Sequence, residues 1–286
     1  MPSLRQIRRR IRSVQSTAKI TRAMEMVAAA KLRRTQQRAL QSRPYAEKMT
    51  ELLGHLSAQR PEGDETLPLL QRRPVRTIGF VHITPDRGLC GALNGNVNRS
   101  AASFLLSEGL PSEVIAVGRK GRDFMIRTRQ RLIADFSDLG DRPGLLDISP
   151  IAHLIIDEYE QGKVDVVYLS YARFLSTASQ RPVVEQLLPV EPAPWEGGAQ
   201  AGYIYEPDPL GVLATLLPRF VEMGMYHAVL ESIASEQSAR MVAMHNASEN
   251  ANDMIRELTL VYNKARQEAI TNELLDITGG TAALTG

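Results

Sequence analysis

The sequence predicts an α/β fold: two long terminal helices pair as an antiparallel coiled coil, with a Rossmann-like α/β domain inserted between them. Three observations carry this reading. Apolar and small residues recur in steps of three and four at both ends of the chain, apolar strand-like runs alternate with helical stretches in the middle, and the two ends carry opposite charge. The expected division is an N-terminal helix over 1–58, an α/β domain over 59–207, and a C-terminal helix over 208–286 that pairs with 1–58 as one shaft.

The N-terminal stripe runs through Ile7, Ile11, Val14 and Ala18, then Ile20, Met24, Val27 and Leu32, and only Pro44 interrupts the helical pattern before residue 57. Proline removes a backbone donor and clashes with the preceding turn, so a kink or joint is expected there. The other face carries Arg5, Arg8, Arg12, Lys19, Arg22, Lys31, Arg33 and Arg38. Residues 1–60 hold 14 basic side chains against 3 acidic, and residues 210–286 hold 5 against 9, so the ends are complementary in sign.

The C-terminal stripe runs Ala247, Ala251, Met254, Leu258, Val261 and Ala265, with alanines that let two backbones approach closely. A helix from about residue 208 approaches 75 residues, with Pro218 early enough to sit near its start. Helices at opposite ends of a chain, joined by an insertion, pair antiparallel. The longer one then extends alone by roughly 20 residues, about 30 Å at 1.5 Å per residue. That tip carries no charge after Asp276. It reads equally as a frayed terminus or as a smooth surface for an apolar collar on a partner.

In the middle, strands are expected over 75–83, 114–117, 164–171 and 183–190, and helices over 92–106, 121–128 and 150–161. Right-handed crossovers would arrange them as a small, largely parallel sheet. Pro192, Pro194, Gly197 and Gly198 read as a loop before the last helix.

Composition excludes several classes. No apolar run is long enough to span a membrane, and residues 1–14 lack the apolar centre of a secretory signal. One cysteine, Cys90, permits no internal disulfide or Cys-rich zinc site, and the five histidines show no metal spacing. The stretch TPDRGLCGALN from Thr84 stands where an α/β protein holds a phosphate, but Gly88, Gly91 and Gly95 match neither the dinucleotide nor the P-loop pattern. A tight turn with Asp86 and Arg87 paired is expected instead. Cys90 is expected to be a buried, inert thiol, and His82 a satisfied core histidine. No catalytic, cofactor-binding or metal-binding residue is assigned.

Three segments resemble one family across essentially the whole chain, the gamma subunits of bacterial F-type ATP synthases. They are IRRRIRSVQSTAKITRAMEMVAAAKLRR from Ile7, TPDRGLCGALNGNV from Thr84, and SEQSARMVAMHNASENANDMIRELTLVYNKARQEAITNELLDITGG from Ser235, supported by YIYEPDP from Tyr203. The resemblance implies a central-stalk rotor that carries no catalysis of its own. One copy would turn inside a ring of three alpha and three beta subunits, coupling rotation of the membrane c-ring to ATP synthesis. By motif, contacts with the catalytic ring fall to Arg240, to Arg266, Gln267, Thr271 and Glu273, and to Met24 opposite them. Contacts with the c-ring or the epsilon subunit fall to Tyr203, Tyr205 and Glu206. No cofactor, nucleic acid or membrane insertion is implied, and the location is the cytoplasmic face of the bacterial plasma membrane, held peripherally. On residues alone two alternatives stay open: a basic coiled-coil nucleic-acid binder, which predicts salt-dependent retention on DNA, and a small α/β enzyme with helical arms.

Overall fold

A computed structural model describes residues 3–58, 67–191, 205, 206 and 208–285. Helix α1 (Leu4–Ala58) opens on a reciprocal cap. The Ser3 hydroxyl accepts the Gln6 N–H, and Gln6 Oε1 accepts the Ser3 N–H at 2.9 Å, so two donors that a helix start leaves over are satisfied. Helix α5 (Pro209–Thr285) opens on Asp208, whose carboxylate accepts the Gly211 N–H at 2.8 Å, with proline in the first position, where its missing donor costs nothing. Both helices run without interruption through their internal prolines, so Pro44 marks no break between elements.

The chain forms two compact units. One comprises residues 1–28 and 241–286, the other 29–240.

In the first unit α1 and α5 run antiparallel. Arg8 Nη2 donates to the Tyr262 hydroxyl at 2.8 Å, and Glu25 Oε1 lies 3.1 Å from His245 Nδ1; each step along α1 is matched by one step back along α5. The seam on α1 buries or half-buries Ile7, Ile11, Val14, Ala18, Thr21, Glu25 and Ala28; that on α5 comprises Met244, Ser248, Ala251, Ile255, Leu258, Tyr262 and Ala265. Both are strict three-and-four alternations, the heptad of a left-handed coiled coil.

This corrects four positions of the expected stripes. Ile20 and Val27 are 59% and 53% exposed, and Met254 and Val261 also face solvent. Small polar residues, Thr21 and Ser248, take seam positions, so hydrophobicity alone put the phase one residue out. Continued, the register sets Leu4 level with Arg266. Residues 267–285 therefore have no counterpart on α1, about 30 Å of single helix.

In the second unit a five-stranded sheet has the order β3-β2-β1-β4-β5. Its strands are β1 (Ile78–Ile83), β2 (Ser112–Val117), β3 (Arg131–Phe136), β4 (Val166–Ser176) and β5 (Ser179–Leu188). The first four are parallel and β5 is antiparallel to β4. Helices α2 (Leu93–Glu108), α3 (Arg119–Arg127) and α4 (Leu145–Glu160) make the crossovers. Strand β3 lies outside the four expected strands: it is a half-exposed edge whose sequence, RLIADF, has only a short apolar centre. Helix α4 starts earlier than expected from Pro150, at a turn where the Asp147 carboxylate accepts the Gly144 N–H.

The larger core lies between the sheet and α4, with Ile148, Ile151, Ile155 and Tyr159 packed beside Leu213, Leu217, Val221 and Met225 of α5 and Met49, Leu53 and Leu56 of α1. Gly79 in β1 lets α4 lie close, because a Cβ there would stand 3.2 Å from Ile155 Cδ1. The other face buries Phe80, Ala101, Leu105, Val114 and Met125.

Candidate coupling interface

Open parallel sheets bind ligands in the crevice outside the carboxyl ends of their strands, where strand order reverses. In this sheet the reversal falls between β1 and β4, and the neighbouring space over β1, β2 and β3 is largely taken up by α5. Val229, Ser232, Ile233 and Glu236 of α5 stand over the ends of β1, β2 and β3, beside Thr84, Gly118 and Phe136, and leave about 50 Å³ of free space. Ligand pockets are typically several hundred Å³.

The turn after β1 is tied down from within. The Asp86 carboxylate accepts the N–H groups of Arg119 and Asp138, each at 3.0 Å, and lies 3.9 Å from the Arg119 guanidinium. The expected Asp86–Arg87 pair is replaced by this longer-range one: Arg87 is exposed, and only the chain crossover brings Arg119 near. Gly118, at φ +95°, admits no side chain, since a Cβ would fall 1.9 Å from the Thr84 carbonyl oxygen. His82 is fully buried between the Ser170 hydroxyl at 3.2 Å and Asn98 Oδ1 at 2.8 Å, and burial lowers its pKa to about 4, so the imidazole is neutral. Cys90 is buried 4.0 Å from the Arg87 carbonyl oxygen, and burial raises its pKa, which disfavours the reactive thiolate. Among the described residues no group of His, Cys, Asp and Glu side chains could hold a metal ion.

The proposed contact residues fall into distinct settings. Arg266, Gln267, Thr271 and Glu273 are exposed on α5, at and beyond the level where α1 begins, and Arg266 has no ion pair among the described residues. Met24 is half-buried, and the register sets it level with residue 246; it stands about 30 Å along the helix from Arg266, not opposite it.

Arg240 is turned inward. Only 11% of its side chain is exposed; it pairs with Glu236 at 2.7 Å and donates to the Gly88 carbonyl oxygen at 3.2 Å. Burial raises the Glu236 pKa, opposed by the Arg240 charge. Tyr205 is half-buried with its hydroxyl 2.6 Å from His55 Nδ1, joining the start of the last segment to the end of α1, while Glu206 is exposed. Tyr203 and the Pro192–Gly198 stretch lie outside the described residues.

Sequence reasoning missed one set altogether. Glu231, Ser235 and Ser238 of α5 hydrogen-bond to the β4–β5 hairpin. Their spacing of four and three was visible, but it reads as an ordinary helix face until the hairpin is placed against it.

A crossover sheet with a long helix across its strand ends and a paired-helix unit whose longer member runs on alone define the class of fold to which the chain belongs. The ATP synthase family model matches residues 3–284. The ATP synthase gamma chain of Dehalococcoides mccartyi is 57% identical over 284 residues, covering 99% of this chain and all of that one. That of Roseiflexus castenholzii is 50% identical over 288 residues, covering 99% of each. Among solved structures, a chain of the central stalk and c-ring of the Tetrahymena thermophila mitochondrial ATP synthase matches at TM-score 0.62 and 25% identity, over 80% of this chain and 99% of that one. A chain from the Euglena gracilis mitochondrial ATP synthase shares the fold at TM-score 0.68, 23% identity, over 98% and 94%. The chain belongs to the family of ATP synthase gamma chains.

Proposed function

We propose that this gamma chain is the central-stalk rotor of an F-type ATP synthase, present in one copy, and that it couples ion-driven turning of the membrane c-ring to conformational change in a ring of three alpha and three beta subunits. The observation that carries the reading is the unequal pair of helices: residues 267–285 continue as single helix past the start of α1, with Arg266, Gln267, Thr271 and Glu273 exposed at its base. One asymmetric rod inside a near-threefold ring meets three equivalent subunits differently, and so biases each towards a different conformation.

In this reading the chain does no chemistry itself. The largely occupied space over the ends of β1, β2 and β3 and the neutral, internally bonded His82 support that. Arg266 offers an exposed guanidinium, with no ion pair among the described residues, to acidic groups of the ring, and charge-assisted bonds at an exposed site are weak enough to release at each step. Met24 makes its contact at a separate level. Arg240 contributes mainly by holding α5 to the loop at Gly88, with its exposed remainder available to the ring. Tyr203, Tyr205 and Glu206 form the contact with the c-ring or epsilon subunit. No helix among the described residues is long and apolar enough to cross a membrane. The complex holds the chain peripherally, at the cytoplasmic face of the bacterial membrane.

Native mass spectrometry of the assembly purified through a tag on this chain tests the reading. One copy with three alpha, three beta and one epsilon subunit is expected; a lone chain or a homodimer would overturn it.

A further inference from the structure

Strands β4 and β5 run past the parallel sheet. Pairing of β1 with β4 stops at His82 and Ser170, while β4 and β5 continue to pair with each other from Tyr171 and Val183 out to Ser176 and Ser179. A free hairpin of this length would be marginal in water. This one is bonded along one face of α5. The Phe174 N–H donates to Glu231 Oε2 at 2.7 Å, the Ser235 hydroxyl to the Ala172 carbonyl at 2.8 Å, and the Ser238 hydroxyl to the Thr177 carbonyl at 2.8 Å. Gln180 Nε2 donates to Ser238 Oγ at 3.2 Å, so that hydroxyl both gives and receives.

Residues 231, 235 and 238 are spaced by four and three, one stripe of the helix. Ser235 and Ser238 are fully buried, so their bonds form without competition from water. Ala172 also packs with Cys90, Leu93 and Val97, against Ala239, and the next residue, Arg240, reaches the Gly88 carbonyl oxygen. Apolar packing alone lets a helix turn about its axis by exchanging one side chain for another of like size. Directional bonds at three successive positions fix its azimuth.

We propose that the β4–β5 hairpin is a clamp that holds α5 against rotation about its own axis relative to the sheet, with Glu231, Ser235 and Ser238 as positioning residues for coupling. The inference rests on the rotor reading above. A rotor must carry torque, and torque about a helix axis is resisted where bonds on the helix surface tie it to a body that does not turn with it. The clamp lies in the last turns of α5 within the sheet-bearing unit, which ends at Arg240.

The test uses the complete synthase in liposomes, with ATP hydrolysis and ATP-driven ion pumping measured on the same preparation. The chain carries Glu231→Ala with Ser238→Ala, or Glu231→Gln alone. Alanine keeps α5 helical, and glutamine retains an acceptor for the Phe174 N–H. Hydrogen exchange on the same complexes reports whether the hairpin has opened: loss of the bond should speed exchange of the Phe174 amide roughly tenfold. The expected result is that the double variant assembles and hydrolyses ATP but loses most of its pumping, while Glu231→Gln pumps as the parent does. Full pumping by a double variant whose Phe174 amide exchanges faster would overturn the clamp, as would unchanged exchange at that amide. A parent chain that fails to assemble into a pumping complex would overturn the rotor reading itself.

Discussion

In the sheet-bearing unit the fully buried side chains include large ones, Tyr159, Phe80, Ile151, Ile155 and Leu217 among them, whereas the paired helices bury Ala18, Thr21, Ala28, Ser248 and Ala251 beside Ile7 and Met244. A unit built on large apolar side chains is held by the area it removes from water, at about 25 cal/mol per Å². One built on small residues gains less from each position and brings its backbones close. That keeps the rod thin, as a shaft that turns inside other subunits must be. The same contrast appears in two arginines: Arg240 is committed to Glu236 and Gly88, whereas Arg266 is exposed and has no ion pair among the described residues.

The contrast is sharpest where a large residue is removed. Phe80→Ala deletes a fully buried ring that stacks 5.9 Å from Phe104, and should cost about 3–5 kcal/mol in chemical denaturation of the free chain. Arg240→Ala strands the mostly buried Glu236 carboxylate and should cost about 3 kcal/mol by the same measurement. A loss below about 0.5 kcal/mol would mean that this pair contributes nothing to holding α5. Ala28→Leu forces a larger side chain into a seam position only 1% exposed and should cost about 1–3 kcal/mol, seen as a lowered melting temperature. Arg266→Glu changes an exposed side chain and should leave stability within about 0.5 kcal/mol. Coupled ATP synthesis in membranes should nevertheless fall; unchanged synthesis would remove Arg266 from the contact set.

Much of the fold was legible because its signals are local. The Asp208–Pro209 start, the long helical periodicity at both ends and the strand of β1 all stand in contiguous sequence. The seam phase was only half legible, since Thr21 and Ser248 take positions that a hydrophobic stripe would give to Ile20 or Ala247. Strand β3 was hidden because an edge strand needs no continuous apolar run. Among the sites, the core role of His82 followed from its place in a strand. The partners of Asp86 and Arg240 did not, because Arg119 and Gly88 reach them only through the crossover topology. The clamp at Glu231, Ser235 and Ser238 was equally out of reach, being a contact between a hairpin and a helix more than 50 residues apart in sequence.

The most direct test of the account is to watch the chain turn. A cysteine at Leu106, 80% exposed on α2, would carry a bead while the catalytic ring is fixed to a surface; the native Cys90 is buried and should not compete for the label. The account predicts unidirectional rotation on adding ATP, in three equal steps per turn. Random fluctuation unaffected by ATP, in a complex that still hydrolyses it, would contradict the claim that this gamma chain is the rotor.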